Sequence, residues 1–258
     1  MSFGHHSDFD KFSRSIRRKS RFGLEGDSAK FVDEFKNQLP RRSRPLESGS
    51  VLYRAVCDYH YDEDAGRGQV DITGAPVDRM YPKPEFACEG RTNPAGIVNL
   101  YLASSRETAV SEVRPWVGEL VSVGVFETTA NLSLVDLSLG HDKFSISEFT
   151  LPELLGEAEI SQEKTDQAVW NSIDSAFSRP TTRTDAGAEY APTQYLSEVV
   201  RTAGYDGLFY KSAFGGSKGY NIVLFDLTAA RIRKCEVHGI DALEVKFSEA
   251  GNPWFKSK

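Results

Sequence analysis

The chain has 258 residues, of which 40% are apolar and 26% charged, the make-up of a soluble globular protein with one large domain or two small ones. No apolar run approaches bilayer-spanning length, and the start, MSFGHHSDFD, lacks the layout of a secretion signal. Three cysteines without metal-ligand spacing argue against a disulfide framework and a zinc site, so a reduced, cytoplasmic, metal-free protein is expected. The net charge of −6 is unevenly spread, because residues 1–44 hold 11 Lys/Arg against 6 Asp/Glu while the remainder is acidic. Such a body is a poor general binder of nucleic acid, and a phosphate-bearing substrate must instead meet a local group of arginines.

In chain order, Asp8–Arg21 reads as an amphipathic helix with Phe9, Phe12 and Ile16 on one face and arginines on another. A second helix is expected over Ser28–Leu39, capped by Ser28 and stopped by Pro40. Val51–Val56 reads as a strand. Residues 58–90, rich in Gly, Pro and Asp, read as a long loop of the kind that is often functional. Ile97–Ala103 is a buried strand, followed by a helix with a capping box from Ser104 to Glu107 that Pro115 ends. Strands follow at Leu120–Phe126 and Leu132–Val135, then helices at Ile146–Leu155 and Gln162–Phe177. Pro192 is expected to open a helix that Gly204 closes. Leu208–Tyr210 and Asn221–Phe225 pair across a glycine-rich turn, Gly215–Gly219, which lacks phosphate-loop spacing. The tail, Arg231–Phe247, alternates enough for two edge strands. The sum is an α+β domain with helices in the connections.

Five residues could carry chemistry. Arg54 lies mid-strand between apolar neighbours and must pair or face a cleft. Arg91, in the turn-rich Gly90–Gly96, could hold a phosphate or decorate a surface turn. Tyr101, inside a strand, either packs in the core or floors a pocket. Glu112 ends a helix, an unfavourable place for a negative charge. Ser212 follows a strand end beside a turn. No G-x-G-x-x-G follows a strand, so a recycled dinucleotide cofactor is not indicated.

Taken together, these segments resemble the RES-domain family, named for an Arg, a Glu and a Ser. The resemblance rests on Gly90-Arg91-Thr92-Asn93-Pro94-Ala95-Gly96, then Leu100–Ala103, then Ala109 and Glu112. It continues through Pro192–Leu196, Gly204–Leu208, Ser212 and Asn221–Phe225, and covers about residues 50–228. It implies a helical arm at 1–49, a catalytic domain at 50–228 with an added helical stretch at about 137–190, and C-terminal strands at 229–258. The long 58–90 segment, the stretch at 137–190 and the arm depart from the family pattern.

The resemblance further implies a split, curved β core similar to the ADP-ribosyltransferases, and a bacterial toxin that degrades NAD+. Expulsion of nicotinamide by phosphorolysis, giving ADP-ribose-1″-phosphate, is one outcome; hydrolysis or protein ADP-ribosylation would share the same first step. NAD+ would be a substrate, and inorganic phosphate a co-substrate. Glu112 would stabilise the oxocarbenium-like sugar, and Tyr101 would pack against nicotinamide or ribose. Arg54 and Arg91 would hold phosphate, and Ser212 a phosphate or ribose oxygen. The implied partner is a helix-turn-helix, Xre-type antitoxin that plugs the cleft. A non-enzymatic binding module is the alternative of a different class.

Overall fold

The structure, a computed structural model, describes residues 2–64, 69–141, 149–155, 157–179, 186–214 and 216–244. In chain order the helices and strands are α1 (Asp8–Arg18), α2 (Gly26–Gln38), β1 (Ser43–Leu46), β2 (Val51–Val56), β3 (Tyr59–Asp64), β4 (Gln69–Gly74), β5 (Leu100–Ala103), α3 (Arg106–Val113), β6 (Leu120–Thr128), β7 (Leu132–Asp136), α4 (Leu151–Leu155), α5 (Gln162–Ser178), α6 (Ala186–Thr202), β8 (Gly207–Lys211), β9 (Tyr220–Leu224) and β10 (Ala230–Gly239). Eight strands form one sheet in the order β1-β7-β8-β9-β5-β2-β6-β10, antiparallel except for the β7–β8 pair. The class is the mixed α+β one that the pattern of elements indicates.

The sheet has a seam. β2 and β6 pair over six positions and β5 and β9 over four, whereas β2 and β5 meet at the single pair Tyr53–Ala103. The two halves therefore part along most of the β2–β5 boundary, the split that the family resemblance implies.

Aromatic residues spaced at helical intervals decide where the arm goes. Phe9, Phe12 and Ile16 of α1 and Phe31, Val32 and Phe35 of α2 are buried with Trp170, Ile173 and Phe177 of α5 and Leu196 of α6. Phe12 stacks on Phe31 at 4.7 Å between ring centroids, and Phe35 lies 5.3 Å from Trp170. The arm thus shares one core with the body, and β1 adds an edge strand to the main sheet.

Several local expectations are corrected. The 58–90 segment is not an open loop: β3 and β4 pair through it as a two-stranded hairpin, Tyr59–Gly74 to Asp64–Gln69. The cap of α3 is Ser105, whose side chain accepts from the Thr108 N–H, in place of Ser104. The helix of Pro192 begins at Ala186 and carries the proline inside it, and α2 starts at Gly26 with Glu25 before it, so Ser28 is already helical. The tail forms one ten-residue strand, β10, on the β6 edge. Of the expected elements, residues 146–148 and 245–247 lie outside the described residues, as does part of the 137–190 stretch and Gly215.

If the arm belongs to the core, truncating Phe35, which is fully buried, has a large effect. Phe35→Ala should cost about 3–5 kcal/mol, and thermal unfolding followed by circular dichroism should show a fall in Tm of about 2–4 °C per kcal/mol.

Candidate active site

The seam puts Arg54 and Tyr101 side by side. Strand alternation sends Arg54 to the face of Leu52 and Val56, and Tyr53 and Ala55 to the other. Beside the opening, Arg54 Nη1 donates to the Tyr101 carbonyl at 3.0 Å, supplying that carbonyl with a donor where the β2–β5 ladder has lapsed. Its Nε is buried without a hydrogen-bond partner. Burial, and after it the charge of nearby Arg79, lowers the pKa of this guanidinium.

Two cavities share this pair of residues in their linings. A lobe of about 270 Å³ is lined by Tyr53, Arg54, Tyr101, Glu112, Tyr210 and Asn221 among others. A lobe of about 480 Å³ is lined by Arg54, Arg79, Lys83, Phe86 and Tyr101 among others. Arg54 and Tyr101 belong to both.

Glu112 reaches the smaller lobe because α3 sits close to the sheet. The contact surface is made of small residues, Ala55, Ala103 and Ala109, together with Val121 and Val123. The helix ends one residue after Glu112, where Arg114 takes a left-handed conformation (φ 50°) before Pro115. Ser212 Oγ donates to Glu112 Oε1 at 2.6 Å and Asn221 Nδ2 donates to the same oxygen at 2.7 Å. Both donors converge on Oε1, which leaves Oε2 without a hydrogen bond among the described residues.

Tyr101 is held from the opposite side. Its hydroxyl accepts from the Thr92 N–H at 3.1 Å and from Thr92 Oγ1 at 2.7 Å, and donates to Asn93 Oδ1 at 2.7 Å. Desolvation dominates these contacts and raises the phenol pKa. The Gly90–Gly96 turn closes on itself: Asn93 Nδ2 donates to the carbonyls of Cys88, Pro94 and Ile97, and Gln194 Nε2 of α6 donates to those of Gly90 and Asn93. Gly90 has to be a glycine here, because a Cβ would stand 2.6 Å from the Tyr101 hydroxyl and 2.7 Å from Asn93 Oδ1.

Of the five residues singled out in the sequence, Arg54, Tyr101 and Glu112 line the smaller lobe, with Ser212 bonded directly to Glu112. Arg91 lines neither lobe, and its Nη1 donates to the Phe177 carbonyl in the last turn of α5. Asn221, Thr92 and Gln194 were not singled out as site residues. The signal for Asn221 was a lone amide in the apolar strand YNIVL, facing Tyr210 and Ala103 in register. Among the described residues no cluster of three metal-ligating side chains occurs, and no helix is long and apolar enough to cross a membrane.

A search of curated proteins finds no match. Among solved structures, the chain is similar to one in the crystal structure of the M. tuberculosis MbcT-MbcA toxin-antitoxin complex. The two share 15% sequence identity over 81% of this chain and 94% of that chain, with a TM-score of 0.40. The family model described as the RES domain matches residues 51–248, the span that contains both lobes and all five residues: the chain belongs to the RES-domain family.

Proposed function

We propose that the protein is a toxin that degrades NAD+ by expelling nicotinamide, with inorganic phosphate as the acceptor. The observation that supports this reading most is the polarity of the cleft. A carboxylate with one open oxygen stands in one lobe, and an unneutralised buried guanidinium stands at the junction. NAD+ has the complementary polarity, a cationic nicotinamide riboside joined to an anionic diphosphate.

Cleavage of the glycosidic bond gives an oxocarbenium-like sugar, and Glu112 Oε2 would stabilise that charge. Nicotinamide leaves as a neutral ring from a cationic one, so no acid is needed to protonate it, and a single carboxylate suffices. Arg54 would hold the diphosphate or the attacking phosphate with charge-assisted hydrogen bonds. Tyr101, with its hydroxyl tied to Thr92 and Asn93, would offer its ring as a fixed wall. Ser212 and Asn221 act on Glu112, as positioning residues that fix which carboxylate oxygen faces the lobe. Arg91 would act at one remove, tying the turn that carries Thr92 and Asn93 to α5.

A toxin of this kind needs external restraint. An antitoxin segment that seats a carboxylate on Arg54 would occlude the junction of both lobes at once. A helix-turn-helix antitoxin is the proposed partner, as it is for the family.

Four outcomes test this reading. Purified protein incubated with NAD+ and phosphate should yield nicotinamide and ADP-ribose-1″-phosphate by mass spectrometry; ADP-ribose alone, with phosphate present, would identify a glycohydrolase. Glu112→Gln should lower kcat by about 10² to 10³, the loss typical of one preorganised electrostatic group, and an unchanged rate would sink the mechanism. Ser212→Ala should lower kcat about tenfold with little change in KM, as expected for loss of one hydrogen bond to a charged group, and Ser212→Thr should restore most of it. Gly90→Ala should displace Tyr101, with about 1–3 kcal/mol of overpacking seen as a lower Tm and a loss of turnover.

A further inference from the structure

The larger lobe is lined on one side by residues between Asp78 and Cys88, and it has no role in the chemistry assigned to Glu112. The backbone of that stretch is firmly anchored. Met80 is fully buried in the core with Phe126, and Gly124 of β6, opposite Arg54 in register, leaves room for it. A Cβ at Gly124 would stand 2.8 Å from Met80 Cε. The Tyr81 hydroxyl accepts from the Ile232 N–H at 3.1 Å and donates to the Ala230 carbonyl at 3.3 Å. Ala75 N–H is bonded to Ser122 Oγ at 2.9 Å.

This frame presents three side chains to the lobe. Arg79 is held by Asp58 through Nε at 2.9 Å, which leaves its two terminal nitrogens without a hydrogen bond among the described residues. Lys83 pairs with Asp78 at 2.9 Å at the rim. Phe86 lines the same lobe with 76% of its surface exposed, a large apolar face with nothing packed on it. Across the lobe stands Arg54, whose Nε is buried and unpaired. Two guanidiniums face one cavity, and the carboxylate that also lines it, Asp78, is engaged by Lys83.

We propose that this lobe is an adenosine-diphosphate subsite, in which Arg79 and Arg54 grip the diphosphate and Phe86 stacks the adenine. The proposal rests on the NAD+ reading for the use of the subsite, and it deepens that reading. The nicotinamide riboside enters the Glu112 lobe, the diphosphate crosses the seam at Arg54, and the adenosine lies over the 77–88 segment. At the seam both lobes are lined by the same side chains, Arg54 and Tyr101. Arg79 then becomes a binding residue carried by the 58–90 segment.

The test is calorimetric binding of ADP, adenosine and inorganic phosphate to the full chain, alongside KM for NAD+. ADP should bind more tightly than either adenosine or phosphate alone. Arg79→Ala should weaken ADP about tenfold, the loss of one charge-assisted contact, and should affect adenosine much less. Phe86→Ala should weaken ADP and adenosine alike by about tenfold, and Phe86→Trp should restore binding. Both alanine variants should raise KM for NAD+ more than they lower kcat. If wild type cleaves NAD+ but both alanine variants leave ADP affinity and KM unchanged, the subsite is refuted while the NAD+ reading stands. ADP binding that depends on Arg79 and Phe86, in a protein that never cleaves NAD+, would support the subsite and overturn the NAD+ reading. Phosphate binding as tightly as ADP, with no contribution from adenosine, would overturn the subsite.

Discussion

The hydrogen bond from Arg54 to the Tyr101 carbonyl stands at the point on which the molecule is organised. Two antiparallel strands that touch at one residue pair leave backbone groups without ladder partners, and buried groups of that kind are costly. A guanidinium, with five donors in a planar fork, can serve a stranded carbonyl and still have donors to spare. That is a reason for an arginine, and not a shorter polar residue, in the middle of an apolar strand. The same residue then brings a positive charge to the bottom of a cleft, with its Nε buried and without a hydrogen-bond partner.

The polar turn beside the seam serves the same purpose at longer range. A tyrosine phenol in the interior needs partners, and here it has three: two donors on Thr92 and one acceptor on Asn93. Those residues are in turn fixed by Asn99, whose amide donates to the Thr92 carbonyl and hydroxyl, and by Arg201, which donates to Asn99 Oδ1 at 2.6 Å. A buried network of this kind is stiff when every member is satisfied and costly when one is removed. The Gly-Arg-x-Asn-Pro motif therefore reads less as a ligand loop than as the mount for an aromatic ring.

Much of the scaffold was legible in the sequence. The short, largely apolar runs at 51–56, 100–103, 120–128 and 220–224 became strands, as expected of segments buried on both faces of a sheet. The aromatic spacing of α1 and α2 announced buried faces, though not that those faces would meet α5. The 58–90 segment concealed its hairpin, since Tyr59–Asp64 and Gln69–Gly74 are largely polar, with His60–Asp62 and Asp71–Thr73 exposed, and periodicity marks only strands that bury one face. Glu112 and Arg54 stood out because a charge in an apolar strand or at a helix C-terminus is out of place. Asn221 did not, because its meaning depends on the Glu112 side chain reaching β9 from α3, a long-range contact. Arg91 looked like an anion ligand from its turn. Its actual carbonyl partner is 86 residues away, beyond any local pattern.

These contacts link the arm to the cleft. α1 and α2 bury their aromatic faces against α5, and Trp170 Nε1 donates to Gln38 Oε1 at 2.6 Å, fixing α5 along its length. The end of α5 receives Arg91 at the Phe177 carbonyl, and Arg91 opens the turn that holds Tyr101. A tightly packed interior transmits displacement instead of absorbing it. The packing of α1 and α2 on α5 and the mount of Tyr101 therefore form one continuous set of contacts.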